Sequence, residues 1–401
     1  MIDVESGYRP VFSTRAAGSA GGEIARIMSL SGATDVITLS GGFPDPVTFD
    51  GAALTESFAR VGAEPASLQY APTQGVPGFR QWIADRLERL QGTRPSDQGL
   101  MVTSGGIEGL ELISKVLLDP GDAAIVEAPT YLGAIMAFQG YESTVLTVPA
   151  DEDGLDVDAL AALLDGGTAK LLYTIPDHQN PAGISMSTER RHALVALARR
   201  HGLLILEDVA YRELGFDGDA RPSLWSLAPD VVAQLGTFSK TFTPGFRMGW
   251  VAGPEALVAK LVLAKQNSDQ CTGALGQRLL EDYGRTGLLD RQIERAQALY
   301  ARRCGLLLEA LDKHLPDGFS WTIPHGGFFT WVDAPRGLDL VELYDRAIAA
   351  GVAYVPGVPF YPDGRRGRSQ MRLSFSRVAD TDIPEGVRRL GAVFTEALEA
   401  R

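Results

Sequence analysis

The stretch VVAQLGTFSKTFTPGFRMGW (residues 231–250) joins a short apolar run to a lysine that stands among hydroxyl side chains. The apolar part is typical of a buried strand in a parallel sheet. Lysine is scarce in this chain, which has six, and arginine supplies most of the positive charge. We therefore interpret Lys240 as a residue kept for its amine, because a lysine can lose its proton and act as a nucleophile whereas an arginine cannot.

Four other apolar runs in the central part of the chain also end in polar or glycine-rich residues. They are LMVTSGG (100–106), AAIVEAPTY (123–131), KLLYTIPDHQN (170–180) and LLILEDVAY (203–211). Helix-like stretches lie between them, such as STERRHALVALARRHG, for which we expect Ser187 to cap the start and Gly202 to mark the end. This alternation predicts an α/β fold with a mostly parallel sheet between helices. Because ligands bind outside the carboxyl ends of parallel strands, the five polar ends are expected to meet in one pocket.

The pattern changes near residue 290, where a long helix-like stretch begins. It is followed by the strand-like segment GFSWTIPHGGFFTWVDAP, a helix, a pair of strands and a final helix. This mixture predicts a second, smaller α+β domain at the C-terminus. We expect an N-terminal arm and helix in residues 1–50 that pack on this small domain, a large domain in 51–290 and the small domain in 291–401.

Composition excludes several classes of function. The net charge of −13 argues against a nucleic-acid surface, which needs a basic stripe. Cys271 and Cys304 have neither metal-ligand spacing nor a disulfide framework, which favours a reducing, cytoplasmic location. The N-terminal residues lack the apolar core of a signal peptide, and we expect no membrane-spanning stretch.

The polar ends of the five runs supply one set of functional groups. They are Lys240, Asp208, Tyr211, Asn180, Tyr131, the turn Ser104-Gly105-Gly106 and Arg247. A metal site would need more His, Cys or carboxylate ligands, and a serine triad would need a partnered histidine, for which His178 is the only candidate. The set fits pyridoxal phosphate instead. That cofactor needs a lysine for its aldehyde, a carboxylate for its ring nitrogen, and a helix N-terminus with hydroxyls and an arginine for its phosphate.

Five ordered motifs resemble the fold-type I, pyridoxal phosphate-dependent aminotransferases of class I/II, and among them the 2-aminoadipate/kynurenine aminotransferase-like branch. The motifs are LQYAPTQGVPGFR, EAPTYLGAI, IPDHQNPAG, EDVAYREL and GTFSKTFTPGFRMGW. The resemblance extends from about residue 10 to near the C-terminus. It implies a large cofactor-binding domain and a ping-pong transfer of an amino group between an α-amino acid and a 2-oxo acid.

The resemblance also implies a role for each site residue. Lys240 would form the Schiff base with pyridoxal phosphate and move the Cα proton, and Asp208 would pair with the ring nitrogen. The other implied roles are hydrogen bonds to the phenolate oxygen from Tyr211 and Asn180, ring stacking by Tyr131, phosphate binding by Ser104, Gly105, Gly106, Ile107, Thr237, Ser239 and Arg247, substrate-carboxylate binding by Arg372 with Asn180 and Gly42, and a contact of Tyr70 with the neighbouring subunit's cofactor in a homodimer.

Two segments of the chain depart from the family pattern. Relatives often read SGSQQGL where this chain has SGGIEGL, so Gly106 and Ile107 replace a hydroxyl and an amide. We expect backbone N–H groups to hold the phosphate there. Aminoadipate-using relatives place an arginine on the N-terminal helix where this chain aligns Ala25, next to Arg26, which disfavours a dicarboxylic amino donor.

Other interpretations stay open at the level of sequence. A pyridoxal phosphate-dependent lyase, oxidase or cyclase acting on a specialised amino acid would use the same cofactor residues. A ligand-sensing regulator built on this domain would need a DNA-binding module, and the acidic charge disfavours it. Taken singly, four residues have structural alternatives: Asp208 as a helix N-cap, Asn180 as a turn residue, Tyr131 as a core aromatic and Arg372 as a structural ion pair.

Overall fold

The computed structural model describes residues 36–218 and 221–400, together with Ser13 and Arg15. The strands of this part of the chain are β1 (Ile37–Thr38), β2 (Leu100–Thr103), β3 (Ala123–Ala128), β4 (Thr144–Asp151), β5 (Gly154–Leu155), β6 (Leu171–Thr174), β7 (Leu204–Asp208), β8 (Val232–Thr237), β9 (Gly249–Ala252), β10 (Ser320–Trp321), β11 (Phe329–Asp333), β12 (Val352–Ala353), β13 (Val355–Pro356) and β14 (Gln370–Ser374). Its α-helices are α1 (Gly51–Val61), α2 (Pro77–Gln91), α3 (Gly106–Leu117), α4 (Leu132–Gly140), α5 (Val157–Asp165), α6 (Thr188–His201), α7 (Leu224–Leu227), α8 (Glu255–Gln266), α9 (Ala274–Arg285), α10 (Leu288–His314), α11 (Tyr344–Ala349) and α12 (Asp382–Glu399).

An eight-stranded, mostly parallel sheet forms the centre of the fold. Its strand order is β2-β9-β8-β7-β6-β3-β4-β5. The pairs β3–β4, β3–β6, β6–β7 and β7–β8 are parallel, whereas β9 is antiparallel to both of its neighbours. Strands β2, β3, β6, β7 and β8 therefore point the same way. They are the five apolar runs of the sequence, so the prediction of an α/β fold with a mostly parallel sheet is confirmed.

Side chains alternate between the two faces of this sheet, as the period of a strand requires. In β6, Leu171 and Tyr173 belong to one buried cluster and Leu172 belongs to the other. All three are fully buried. Both faces are covered, which explains why the runs are apolar throughout instead of alternating with polar residues. Polar side chains are thus concentrated where the strands end.

Two helices next to the sheet follow local sequence signals. In α6, the Ser187 hydroxyl accepts a hydrogen bond from the Arg190 N–H and Gly202 ends the helix with a φ of 63°, as predicted. Helix α3 begins directly after β2, at Gly105, whose φ of 92° disfavours any other residue. The free N–H groups at the start of α3 are therefore at the sheet edge where the polar strand ends meet.

A smaller α+β unit follows the long helix α10. Its antiparallel sheet has the order β10-β11-β14-β13, and α12 packs against α10. Strand β1, near the start of the described residues, pairs with β12 of this unit. The domain boundaries at residues 50 and 290 stay predictions. The predicted N-terminal helix with Ala25 and Arg26 lies outside the described residues.

Candidate active site

Lys240 lies three residues beyond the end of β8, in the turn that the sequence marks with hydroxyl residues. Its Nζ atom donates a hydrogen bond to the Gly42 carbonyl oxygen at 2.9 Å. The amine also lies 5.9 Å from the ring centres of Tyr211 and Phe328. Burial lowers the pKa of Lys240 to about 8, with the Arg372 and Arg247 charges acting in the same direction and Asp208 opposing them. This amine is therefore prepared to act as a nucleophile near neutral pH.

Asp208 is the last residue of the adjacent strand β7 and is buried. Its two carboxylate oxygens each have a donor: Tyr173 Oη bonds Oδ2 at 2.8 Å, and the Ala210 N–H bonds Oδ1 at 3.0 Å. Burial raises the pKa of Asp208 to about 6, although both hydrogen bonds and the Lys240 charge lower it. The result is a fixed, buried carboxylate in the same site as the amine.

Arg372 reaches the site from β14 of the small sheet. Its Nη1 donates to Asn180 Oδ1 at 2.8 Å and its Nη2 donates to the Ser40 carbonyl at 2.9 Å. The guanidinium is stacked on Phe329 and Phe360, at 4.2 and 4.9 Å from their ring centres. Its Nε is buried without a hydrogen-bond partner. A buried arginine with an unused N–H group and aromatic walls is suited to a planar carboxylate ligand.

Tyr211 and Asn180 lie close together, and the Asn180 side chain slightly opposes the effect of burial on the pKa of Tyr211. Both residues are buried. The Tyr211 ring packs edge-on against Phe328 and Phe329, with centroid distances of 5.4 and 5.7 Å. Burial raises the pKa of Tyr211 far above its usual value, so the hydroxyl stays a donor.

The start of α3 faces the turn after β8. A Cβ atom added to Gly105 would lie 2.5 Å from Arg247 Nη2, so the guanidinium lies directly against the glycine backbone. Arg247 Nη1 also donates to Ser239 Oγ at 3.1 Å, and the Thr237 hydroxyl donates to the same oxygen at 3.0 Å. A helix N-terminus, two hydroxyls and an arginine thus converge, which is the arrangement that binds a phosphate.

Ser104, on the same turn, already has partners for both of its donors. Its N–H bonds Glu108 Oε2 at 2.6 Å, and its hydroxyl bonds Asp269 Oδ2 at 3.0 Å. Lys265 joins these two carboxylates through contacts of 2.7 to 2.9 Å and is fully buried. This cluster fixes the turn from behind, and the N–H groups of Gly105, Gly106 and Ile107 lie at the open end of the helix.

Tyr131 and Gly42 complete the set around the amine. Tyr131 caps α4, and burial raises the pKa of its hydroxyl to about 12, with Asp208 adding to the effect and Arg372 and Arg247 opposing it. A Cβ atom at Gly42 would lie 2.7 Å from the Phe329 ring, so this segment approaches the site only as glycine. The structure therefore brings residues from all five predicted strand ends, together with Arg372 and Gly42, into one neighbourhood around Lys240.

Tyr70 and His178 are placed differently. Tyr70 is 78% exposed and follows Leu68, which is 70% exposed. Within its own chain, Tyr70 is thus a surface residue. His178 is buried, its Nδ1 lies 3.2 Å from Ser185 Oγ, and burial lowers its pKa despite the nearby Asp177 carboxylate. Its ring packs directly against Gly326.

Sequence reasoning missed three features of this site. Tyr173 looked like one more apolar residue of a buried strand, and no local signal marks its contact with Asp208. Phe329 packs under Arg372 and Tyr211 from a strand that was assigned only to the small domain. The pairing of Lys265 with Asp269 at i,i+4 was a visible helix signal, but the link to Glu108 is not readable from spacing.

The geometry fits pyridoxal phosphate group by group. The Lys240 amine, which has no carboxylate partner among the described residues, suits the aldehyde. The buried Asp208 suits the ring nitrogen, and the Gly105–Arg247 cradle suits the phosphate. Within residues 36–218 and 221–400, no group of three or more His, Cys, Asp or Glu residues is arranged to hold a metal ion. No helix in the same residues is long and apolar enough to span a membrane.

Comparisons with known proteins agree with this geometry. The sequence model of the family described as aminotransferase class I and II matches residues 34–390. Aromatic-amino-acid aminotransferase 1 of Thermococcus litoralis is 38% identical over 98% of this chain and 96% of its own length.

Two solved structures have the same fold. Kynurenine aminotransferase of Pyrococcus horikoshii, in complex with pyridoxamine phosphate and kynurenine, has a TM-score of 0.94 at 36% identity and covers 98% of this chain and 99% of its own. The α-aminoadipate aminotransferase of Thermus thermophilus, in complex with N-(5'-phosphopyridoxyl)-L-leucine, has a TM-score of 0.92 at 35% identity and covers 98% and 100%.

Proposed function

The chain belongs to the class I and II aminotransferase family, and on that premise we propose which residues carry the reaction and which amino acids it accepts. The protein is a pyridoxal phosphate-dependent aminotransferase that moves an amino group between an α-amino acid and a 2-oxo acid by a ping-pong mechanism. What the family does not decide is the role of each residue, the amino donor and the assembly.

The observation that carries the proposal is the partly buried amine of Lys240, which bonds a backbone carbonyl and shares its site with the Asp208 carboxylate. When bound, pyridoxal phosphate supplies an aldehyde for the amino group and a ring that accepts the electron pair released at Cα. Lys240 Nζ would hold the cofactor through its aldehyde and would carry the proton of the substrate Cα. Asp208 would hold a proton at the ring nitrogen, which would keep the ring electron-withdrawing.

The other side chains of the site would bind and orient the cofactor. Tyr211 and Asn180 would donate to the phenolate oxygen, and Tyr131 would cover the ring. The phosphate would be held by Ser239, Thr237, Arg247 and the N–H groups of Gly105, Gly106 and Ile107. Because the two donors of Ser104 are engaged by Glu108 and Asp269, we assign Ser104 to shaping this turn.

Arg372 holds the α-carboxylate of the substrate, assisted by Asn180 and the backbone at Gly42. Its unpartnered Nε and its stacking on Phe329 and Phe360 support this assignment. Arg372→Lys would keep the charge but lose the planar fork, so we expect kcat/KM to fall about 100-fold, mainly through KM. A loss confined to kcat at saturating substrate would contradict a carboxylate-binding role.

For the amino donor, we propose an α-amino acid with an uncharged, aromatic side chain. The cations of the described site are Lys240, Arg247 and Arg372, and each has an assignment above. The alignment of Ala25 with the arginine of aminoadipate-using relatives supports the same choice, and the Thermococcus litoralis relative is named for aromatic substrates.

A stoichiometric half-reaction tests the donor and the chemistry together. Phenylalanine, tyrosine, kynurenine, 2-aminoadipate and glutamate are added one at a time to the cofactor-loaded enzyme, and absorbance follows conversion of the cofactor to its amine form. We expect the aromatic donors to convert the cofactor fastest. Faster conversion by 2-aminoadipate would overturn the donor proposal, and ammonia release with the cofactor unchanged would indicate a lyase or oxidase instead.

We also propose a homodimer with shared active sites in the cytoplasm. The exposure of Tyr70 and Leu68 supports a subunit contact at that surface, and the free thiols of Cys271 and Cys304 suit a reducing compartment.

Co-expression of Lys240→Ala and Tyr70→Ala chains with different tags tests the dimer. Each single variant is expected to be impaired, and the purified mixed dimer should regain about half of the wild-type activity, because one of its two sites is intact. No recovery would show that Tyr70 does not act across subunits.

A further inference from the structure

Tyr173 is a buried tyrosine that none of the roles above uses. It lies in the middle of β6, directly beside Leu206 of β7 in the parallel register. Leu206 and Asp208 are two residues apart and so point to the same face of the sheet. The Tyr173 side chain leans along this face and its hydroxyl donates to Asp208 Oδ2 at 2.8 Å. The ring is fully buried and packs edge-on against Phe138, with a centroid distance of 6.1 Å.

We propose that Tyr173 is a positioning residue that keeps Asp208 in its carboxylate form and aimed at the ring nitrogen of pyridoxal phosphate. This inference rests on the proposed role of Asp208. It names Tyr173 as the residue on which the role of Asp208 depends in this chain.

The geometry fixes the orientation of the carboxylate. Tyr173 bonds one oxygen of Asp208 and the Ala210 N–H bonds the other, so rotation about the Cβ–Cγ bond would break at least one hydrogen bond. Each oxygen accepts more than one hydrogen bond, which leaves a lone pair for a ring N–H donor. The plane of the carboxylate is thus set before the cofactor arrives.

The electrostatics give the contact a second effect. Burial raises the pKa of Asp208 to about 6, and the Tyr173 hydrogen bond is the largest of the interactions that lower it. Burial also raises the pKa of Tyr173 far above its usual value, so the hydroxyl remains the donor at every working pH. Without that donor, Asp208 would be a stronger base, and the shared proton would move from the ring nitrogen toward the carboxylate.

Tyr173→Phe removes the hydroxyl and keeps the ring against Phe138, so we expect the variant to fold. Tyr354→Phe is the matched control, because Tyr354 is an equally buried tyrosine whose hydroxyl donates to the Leu340 carbonyl, in the small C-terminal unit. Both variants lose one buried hydrogen bond. A purely structural role for Tyr173 would therefore give the two variants the same properties.

Three readouts on the loaded enzyme separate positioning from packing. They are the pKa of the Lys240 Schiff base from an absorbance titration, the dissociation constant of pyridoxal phosphate, and the ¹⁵N shift of ring-labelled cofactor. For Tyr173→Phe we expect the Schiff-base pKa to rise by about 1 unit. A cofactor ring that is less protonated withdraws electron density less strongly, so the Schiff-base nitrogen becomes more basic. We also expect cofactor binding to weaken about 5- to 10-fold and the ¹⁵N shift to move toward the unprotonated value. Tyr354→Phe should match the wild type in all three.

A double-mutant cycle with Asp208→Asn tests whether Tyr173 acts through Asp208. In the Asp208→Asn background, Tyr173→Phe should leave the Schiff-base pKa unchanged. An unchanged pKa in the wild-type background, or an equal rise in both backgrounds, would overturn the inference. Absence of Schiff-base absorbance in the wild type itself would instead refute the role proposed for Lys240, so the two failures are distinguishable.

Discussion

Lys240 and Lys265 are both withdrawn from solvent near the phosphate-binding turn, and their surroundings are opposite. Lys265 is fully buried and makes contacts of 2.7 to 2.9 Å with two carboxylates, Glu108 and Asp269. Lys240 bonds only the neutral carbonyl of Gly42 among its described hydrogen-bond partners, and two arginines act on it as like charges. Two carboxylates hold the Lys265 amine in place by ion pairs, whereas the lowered pKa of Lys240 lets its amine lose a proton. The same residue type thus serves structure in one place and chemistry in the other.

The largest expected effect comes from replacing Lys240. Lys240→Arg keeps a positive charge of similar reach but cannot deprotonate, so the half-reaction with an amino donor should slow by at least about 1,000-fold. Single-turnover absorbance measures this rate directly. Circular dichroism and unfolding by urea should match the wild type. Activity near the wild-type level would show that Lys240 is a structural lysine like Lys265.

The second largest effect should be a loss of stability when Lys265 is replaced. Lys265→Met leaves Glu108 and Asp269 facing each other without a cation, and we expect it to reduce the free energy of unfolding by about 3 kcal/mol. The matched control is Lys260→Met on the same helix, where the side chain is exposed and the change should stay within about 0.5 kcal/mol. Urea unfolding of both variants decides this. Equal stability of the two variants would show that the buried cluster contributes nothing beyond packing.

Much of this contrast could be predicted from the sequence, and the reason is topological. Lys240 and Asp208 end two parallel strands, and parallel strands bring their carboxyl ends to one edge, so residues 32 positions apart meet without any local signal. The hydroxyl-rich setting of Lys240 then separated it from an ordinary surface lysine. The caps of α6 at Ser187 and Gly202 were equally readable, because capping depends on adjacent residues.

The features that sequence did not reveal depend on contacts across elements. Tyr173 reads as a core aromatic, and only the register of β6 against β7 brings its hydroxyl to Asp208. Lys265 meets Glu108 across 157 residues. Tyr70 is exposed in the single chain, and the role proposed for it needs a second subunit that one sequence does not describe.

Two buried carboxylates near the Asn180 loop show the same contrast as the two lysines: one has oppositely charged partners and the other has neutral ones. Among the described residues, the hydrogen-bond donors to Glu127 are neutral and belong to Thr174, Ile175 and Gln179. Burial raises the pKa of Glu127 from 4.5 to about 7. Asp177 is paired with Arg191 and Arg212, and its pKa is lowered despite its burial.

The sign of the pH dependence follows from these directions. Because the pKa of Glu127 is higher in the folded state, the protein should lose stability as pH rises from about 5 to 8, by about 2 kcal/mol from this group. Glu127→Gln should flatten that slope. Asp177→Asn should lower the free energy of unfolding by the same amount at every pH between about 5 and 8. The slope should not change, since Asp177 is ionised throughout this range in both the folded and the unfolded state. Parallel curves for Glu127→Gln and the wild type would contradict the assignment.

The smallest predicted effect concerns how the surroundings tune Lys240. The rate at which the apoenzyme captures pyridoxal phosphate should rise with pH with a midpoint near 8, because only the neutral amine attacks the aldehyde. Burial is the main cause of this low pKa and the Arg372 charge is the next. Arg372→Met should therefore raise the midpoint by about 0.5 to 1 unit and slow capture at pH 7 by about 3- to 10-fold, whereas the exposed Arg336→Met should change neither. An unchanged midpoint in Arg372→Met would mean that the Arg372 charge does not help to prepare the amine. The difference between Lys240 and Lys265 would then lie in the missing carboxylates and not in this added charge.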